Sequence, residues 1–134
     1  MAIRDGAVLV VIDMQRAIDL PARPARGNPR LDDNAAGVIA AFRATGKPVI
    51  HVRHDSVDEG SWFRPGHPGN ALRPGFEPAA GEALVVKSVN SAFIGTDLDL
   101  RLRRLGATEV WCIGWATDMC VSTTIRTGAN MGWP

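Results

Sequence analysis

The chain has 134 residues, of which 46% are hydrophobic and 22% charged, and its formal net charge is +1. This length accommodates one hydrophobic core, and we predict a single domain over residues 1–134. The near-neutral charge argues against nucleic acid as a partner, because nucleic-acid-binding proteins present a basic surface. No apolar run approaches the roughly 20 residues that span a bilayer, which argues against a membrane partner.

The N-terminal residues 1–15 carry charges on both sides of a short apolar run and have no small-residue cleavage site. They predict a first strand rather than a signal peptide. The two cysteines, Cys112 and Cys120, are too few for a disulfide framework in a chain of this length. We therefore predict free thiols and a cytoplasmic location, where the environment is reducing.

Four short runs rich in valine and isoleucine recur along the chain, and they are nearly continuous rather than alternating with polar residues. Such runs are typical of strands that are buried on both faces of a parallel sheet. They predict strands at residues 7–12, 48–52, 83–86 and 109–113. Helical patterns separate several of these runs, so the sequence predicts an α/β fold of three Rossmann-like layers with a mostly parallel sheet.

The first predicted helix covers residues 28–45, with Asn28 as its N-cap and Gly46 after its end. Its apolar face consists of Leu31, Ala35, Val38, Ile39 and Phe42. The second predicted helix covers residues 97–105 and ends before Gly106. Its inward-facing residues are Leu98, Leu102 and Leu105.

The third predicted helix begins near Met119, with Asp118 as its cap. Its inward-facing residues are expected to be Val121, Ile125 and Ala129. Residues 56–82 differ from the rest of the chain, because they contain five glycines and four prolines without a clear period. They predict a long loop, and loops of this length in compact domains are usually functional or mobile.

Polar residues follow the predicted strands at their carboxyl ends. Asp13 follows the first strand, Lys87 follows the third, and the fourth leads through Gly114 to Cys120. Ligands of open parallel sheets bind outside the carboxyl ends of the strands. A carboxylate, an amine and a thiol are therefore expected to gather at one edge of the sheet.

These groups suit nucleophilic catalysis by a cysteine. A helix N-terminus and the nearby Lys87 are expected to lower the pKa of Cys120, and Asp13 is a candidate to accept its proton and later to protonate a leaving group. Backbone N–H groups between Gly114 and Cys120 are candidates for an oxyanion hole. Taken alone, Cys120 could equally be an inert buried thiol. Cys112 lies in the middle of a strand and is expected in the core.

Further candidates surround this set. We predict substrate contacts from Gln15, Phe63, Asn90 and Trp115, although Trp62 and Phe63 could instead anchor the long loop. His51 is predicted to be structural, whereas His54 and His67 are candidates for the rim of the pocket. A substrate carboxylate could contact an arginine, but the spacing does not select among Arg53, Arg64 and Arg73.

Three separated segments resemble the isochorismatase-like cysteine hydrolases, a superfamily that includes nicotinamidases and N-carbamoylsarcosine amidase. The segments are VLVVIDMQ at 8–15, VVKSVNSAFIGTDLDLRLRRLGATEV at 85–110 and IGWATDMCVSTTIRTGANMGW at 113–133. The resemblance extends over essentially the whole chain, with gaps in the loops. It implies a catalytic triad of Asp13, Lys87 and Cys120. It also implies a cis peptide bond between Trp115 and Ala116, and the N–H groups of Ala116 and Cys120 as oxyanion donors.

The resemblance implies hydrolysis of an amide or ureido C–N bond in a small molecule, through a thioester. Relatives that act on isochorismate commonly lack the cysteine, so an ether hydrolase of that type is the alternative enzyme, and a catalytically silent binding module is the alternative outside enzymes. Metal-dependent nicotinamidases carry Asp-x-His after the second strand, whereas this chain has VRHDS at 52–56. We therefore expect neither a metal nor a cofactor.

Family members usually continue past the Met-Gly-Trp segment into a further strand and helix, whereas this sequence stops at Pro134. The fold is accordingly expected to lack that C-terminal strand and helix. An exposed sheet edge favours association with another chain, so we also expect a homo-oligomer.

Overall fold

The computed structural model describes residues 2–19 and 30–134, without the side chains of Thr117 and Asp118, so the caps predicted at Asn28 and Asp118 lie outside the described part. The strands are β1 (Ala7–Ile12), β2 (Val49–His54), β3 (Ala83–Lys87) and β4 (Glu109–Gly114). The helices are α1 (Leu31–Ala44), α2 (Leu98–Arg104) and α3 (Ser122–Asn130). Shorter helical turns occupy Arg16–Asp19, Pro68–Asn70 and Thr117–Val121.

The strands form one parallel sheet in the order β3-β2-β1-β4. Every residue of β1 is buried. Because successive side chains of a strand point to opposite faces, Leu9 and Val11 pack on the side of α1, whereas Val8 and Val10 pack on the side of α2. The predicted α/β fold with a parallel sheet between helical layers is therefore confirmed. None of the described helices is long and apolar enough to cross a membrane.

The helix faces follow the predictions for α1 and for most of α2. Leu98 and Leu102 are fully buried in α2, but Leu105 is 48% exposed beyond its end. For the third helix the prediction holds at Val121, which is buried just before α3, and was wrong at Ile125, which is 50% exposed because Thr124 and Gly128 face inward instead. The predicted Ala129 is also exposed.

The inward face of α3 is determined by a hydrogen bond and a close ring contact, which the spacing of apolar residues does not reveal. The Thr124 hydroxyl accepts a hydrogen bond of 3.0 Å from the N–H of Ala92. Gly128 lies so close to Phe93 that a Cβ there would be 3.0 Å from the phenyl ring. Thr124 and Gly128 therefore face the core, where the sequence pattern had predicted Ile125 and Ala129.

The carboxyl ends of the strands extend further than predicted. Strand β2 continues to His54 and β3 continues to Lys87, and these two residues pair in register. Strand β4 ends at Gly114, whose φ of 137° favours glycine. A Cβ at Gly114 would overlap the carbonyl group of Ile12, so only glycine allows β4 to approach the end of β1 this closely.

Candidate active site

The structure brings together Asp13, Lys87 and Cys120 at the carboxyl edge of the sheet. Asp13 follows β1, Lys87 is the last residue of β3, and Cys120 lies in the turn between β4 and α3. The Lys87 ammonium lies 3.1 Å from Asp13 Oδ2 and 3.4 Å from Cys120 Sγ. The side chains of Lys87 and Asp13 are 0% and 2% exposed, so their charges interact out of contact with bulk water.

Asp13 has an unusual backbone conformation, with a φ of 56°. A side chain in this left-handed region is strained, and such strain concentrates at functional sites. The conformation turns the chain sharply out of β1, and the N–H of Gln15 donates to the carbonyl of Asp13 at 2.8 Å. Asp13 Oδ1 is buried without a hydrogen-bond partner in the described part of the chain.

The Lys87 ammonium has two further hydrogen bonds, to His54 Nδ1 at 2.8 Å and to the carbonyl of Val89 at 2.9 Å. Ligand atoms of Asp13, His54 and Cys120 lie within 4.8 Å of one another, which is a geometry that also suits a divalent metal. Lys87 Nζ, however, contacts all three of these side chains. The ammonium thus supplies the positive charge at the centre of this cluster.

The pKa shifts assign different roles to the acid and the thiol. Burial raises the pKa of Asp13, although Lys87 partly opposes this shift. Burial and, next to it, the negative charge of Asp13 raise the pKa of Cys120 to about 11, although Lys87 opposes the shift. The predicted lowering of the Cys120 pKa was therefore wrong, because burial and Asp13 outweigh Lys87. At neutral pH the thiol keeps its proton and needs an adjacent base to react.

The second thiol, Cys112, is half-buried and packs against the core beside α2. Burial alone raises the pKa of Cys112 to about 11. Cys112 thus lies at the border of the core rather than fully inside it, so its predicted core position is confirmed in part. The two thiols also differ in their contacts with charged groups, since among the described residues Cys120 contacts the Lys87 ammonium.

The turn before Cys120 has an irregular backbone. The Trp115–Ala116 peptide bond is cis. The carbonyl of Ala116 accepts hydrogen bonds from the N–H groups of Met119 and Val121, at 3.2 and 3.1 Å. The N–H of Ala116 makes no hydrogen bond to any described residue. This N–H is consequently available to a ligand beside Cys120.

A pocket of about 170 Å³ opens onto Cys120. The rings of Phe63 and Trp115 are stacked in its wall with 5.9 Å between their centroids, and the rings of Phe63 and His54 form a T-shaped pair with 5.7 Å between centroids. Cys120 Sγ donates to Asn90 Oδ1 at 3.5 Å. The lining residues are Asp13, His54, Phe63, Asn90, Trp115, Ala116, Met119 and Cys120. Three of the predicted substrate contacts, Phe63, Asn90 and Trp115, thus face the same pocket.

The fourth predicted contact, Gln15, is not brought into this pocket. It is fully buried, and its side-chain amide donates to the carbonyls of His54 and Asn70 and accepts from the N–H of His54. These hydrogen bonds engage the side-chain amide of Gln15 fully. They form because Gln15 follows β1 and His54 ends the neighbouring strand β2. In this structure Gln15 supports the backbone of the site.

The remaining aromatic and imidazole candidates take structural positions. Trp62 stacks on His67, whose Nδ1 accepts from the N–H of Gly69 at 2.9 Å. His51 is buried and its Nε2 lies 2.8 Å from the carboxylate of Glu82. Of the pair left open in the sequence, Phe63 therefore lines the pocket and Trp62 packs within the loop.

His54 is more central than the sequence analysis predicted. Its Nδ1 contacts Lys87, whereas the sequence assigned it only to the rim of the pocket. The predicted second strand ended at residue 52, and this placed His54 in a loop. The signal that could have found it is its position at the true carboxyl end of β2, in register with Lys87.

A second, larger cavity of about 590 Å³ lies at the opposite ends of the strands, next to the start of β2 and β3. Ion pairs occupy most of its charged side chains: Arg43 with Glu82, Lys47 with Asp5, and Arg101 with Asp97. Neither cysteine lines it. The smaller pocket is therefore the candidate active site.

Comparison with known proteins gives consistent results. The family model described as the isochorismatase domain matches residues 7–133. An uncharacterized isochorismatase family protein of Bacillus subtilis, YrdC, is 34% identical over 93% of this chain and 67% of its own length. A putative hydrolase of the isochorismatase family from Chromobacterium violaceum is 44% identical, with a TM-score of 0.90 over 97% of this chain and 67% of that structure. N-carbamoylsarcosine amidase from Thermoplasma acidophilum is 28% identical, with a TM-score of 0.81 over 95% of this chain and 78% of that structure.

Proposed function

Because the chain belongs to the isochorismatase family, we propose that it is a cysteine hydrolase that cleaves the C–N bond of a small amide or ureide. The observation that carries this proposal is the contact of a buried ammonium with both a carboxylate and a thiol at the mouth of a pocket. The amidase among the structural relatives supports the same class of bond. Asp13, Lys87 and Cys120 form the catalytic triad in this proposal.

Acylation begins when Asp13 accepts the thiol proton as Cys120 Sγ attacks the carbonyl carbon. The raised pKa of Cys120 favours proton transfer together with attack, rather than a thiolate that exists beforehand. The raised pKa of Asp13 makes its carboxylate a stronger base than an exposed aspartate. The Lys87 ammonium stabilises the negative charge as it moves from the Asp13 carboxylate to the Cys120 sulfur.

The tetrahedral intermediate carries its negative charge on the former carbonyl oxygen. The N–H groups of Ala116 and Cys120 donate to this oxyanion, a type of interaction that often dominates acyl transfer. Asp13 then protonates the leaving nitrogen, the C–N bond breaks, and ammonia or an amine departs. Water, activated by Asp13, hydrolyses the thioester and releases the carboxylic acid and the free thiol. The net reaction consumes one amide and one water.

The pocket limits the acyl group by size and charge. A cavity of about 150 Å³ accommodates benzene, so the 170 Å³ pocket suits an acyl group of roughly one ring between Phe63 and Trp115. No lysine or arginine is among the described residues that line the pocket, and the ammonium of Lys87 beside it is bound by four protein groups. We propose a neutral acyl group, because a carboxylate would have no free cation to meet.

The first test is hydrolysis of primary amides, ureides and lactams, followed as ammonia or amine release and, for lactams, as formation of the ring-opened amino acid, with Cys120→Ala as the blank. The expected result is ammonia or amine release by the wild-type protein alone. Cleavage of an isochorismate-like ether without ammonia would instead support the alternative enzyme. No turnover of any compound, together with equal alkylation rates of Cys120 and Cys112, would support a binding module.

We predict that neutral amides are cleaved in preference to carboxylate-bearing amides of the same size, for example maleamide over maleamate. Met119 lies at the pocket and is 52% exposed, so Met119→Arg can introduce a cation while its stem stays partly solvated. This variant should raise kcat/KM for maleamate about tenfold or more, by one charge-assisted hydrogen bond. Met119→Leu is the matched control and should leave the preference unchanged. A wild-type preference for maleamate would contradict the neutral pocket.

A further inference from the structure

The four contacts of the Lys87 ammonium are unequal. Its bonds to His54 Nδ1 and the Val89 carbonyl, at 2.8 and 2.9 Å, are shorter than its contacts with Asp13 and Cys120, at 3.1 and 3.4 Å. An ammonium has three N–H groups in a fixed tetrahedral arrangement. When two of them are bound by His54 and Val89, the third is directed at the acid and the thiol.

We propose that His54 is a positioning residue, which holds the Lys87 ammonium against Asp13 and Cys120. This inference deepens the proposed function and rests on it for its kinetic consequence. Removing the His54 acceptor would free the ammonium to rotate or to move toward the carboxylate alone. The positive charge would then leave the sulfur, and acylation would slow. Because His54 also lines the pocket, a test of this role has to keep the size of the side chain.

The backbone of His54 is itself held in place. His54 pairs in register with Lys87 on the neighbouring strand. The Gln15 amide binds both the N–H and the carbonyl of His54, at 2.9 and 3.0 Å. The imidazole packs against the Phe63 ring in a T-shaped arrangement. Both the backbone and the ring of His54 are therefore held, so that the acceptor Nδ1 has a fixed position, as a positioning role requires.

This role requires a neutral imidazole. Because an ammonium has no acceptor, Nδ1 must accept and the ring proton must be on Nε2. The charged and titratable groups around His54 are Lys87, Asp13, Cys120 and Asp55. Burial and, to a smaller extent, the charge of Lys87 lower the pKa of His54 to about 4, although Asp55 opposes the shift. The acceptor is thus available throughout the neutral pH range.

Two variants of similar shape separate positioning from space filling. His54→Asn keeps an acceptor oxygen near the position of Nδ1, whereas His54→Leu has the same branched outline without an acceptor. His54→Leu should lower kcat by about 10- to 100-fold, the value of one hydrogen bond to a charged group, and should change KM little. His54→Asn should retain most of the wild-type kcat. Thermal unfolding of both variants verifies that they fold.

If folded His54→Asn and His54→Leu lose equal activity, or if only KM changes, the positioning role is wrong. A second measurement does not depend on turnover. In a Cys112→Ala background, iodoacetamide should alkylate Cys120 more slowly in His54→Leu than in His54→Asn, because the ammonium no longer stabilises the thiolate. Equal alkylation rates would overturn the proposal for His54. Absence of amide turnover in the wild-type protein would overturn only the proposed function.

Discussion

Replacing Cys120 by alanine is expected to lower kcat/KM for amide hydrolysis on the order of 10⁵-fold, because no other group can form the acyl-enzyme. Cys120 is the thiol in contact with Lys87, and the same pocket contains no hydroxyl side chain among its described lining residues. The measurement is the rate of ammonia release at amide concentrations well below KM, compared with wild-type protein of the same concentration.

The matched control is Cys112→Ala. Cys112 is a half-buried thiol whose pKa is likewise raised to about 11, but it lies in β4 and packs against the core beside α2. Its removal can lower stability, and it should leave kcat nearly unchanged. Loss of activity in both variants in proportion to their stability would show that the thiol at position 120 has no chemical role.

Replacing Lys87 by methionine is expected to lower the free energy of unfolding by about 3–5 kcal/mol, because it leaves a buried carboxylate without its partner. Both charges are almost completely inaccessible to solvent, at 3.1 Å from each other. Methionine keeps the length of the side chain, so the loss reflects charge rather than a cavity. Urea unfolding of wild-type and variant proteins at pH 8 measures the difference.

The loss of unfolding free energy in Lys87→Met should be larger at high pH than at low pH. Burial already raises the pKa of Asp13, and removing Lys87 removes the main opposing charge, so the folded-state pKa rises further above the unfolded value. An acidic group whose pKa is raised in the folded state stabilises the fold most at low pH. This stabilisation is lost as the pH rises through the folded-state pKa. Lys87→Met should consequently be closer to wild type at pH 5 than at pH 8.

Two controls make this result specific. The double variant Asp13→Asn/Lys87→Met should recover part of the stability at pH 8, because no charge is left buried. Lys47→Met removes the partner of the exposed Asp5, a pair at 2.7 Å, and should change the unfolding midpoint little. An equal loss in Lys47→Met, or a loss in Lys87→Met that does not vary with pH, would contradict the account.

The fold was largely predictable because its signal is local. A strand buried on both faces must be continuously apolar, and the residues of β1 follow this rule from Ala7 to Ile12. The helix α3 was less predictable, because Thr124 and Gly128 face inward for reasons of a hydrogen bond and a close ring contact. Such contacts depend on residues distant in sequence, and no periodic pattern encodes them.

The site was predictable in position but not in electrostatics. Asp13, Lys87 and Cys120 follow strands whose ends must meet, so topology alone brings them to one edge. The direction of the Cys120 pKa shift depends on how deeply each group is buried, and the role of His54 depends on where β2 ends. Neither the depth of burial nor the last residue of β2 is determined by the spacing of residues in the sequence.

The most direct test of the account is capture of the acyl group on Cys120 during turnover. Protein mixed with a neutral primary amide is quenched in acid and its peptides are analysed by mass spectrometry, in parallel with turnover in hydroxylamine. The account predicts an adduct of the substrate mass minus ammonia on the peptide that contains Cys120, and formation of the hydroxamate. Steady ammonia release with neither adduct nor hydroxamate would contradict a thioester mechanism.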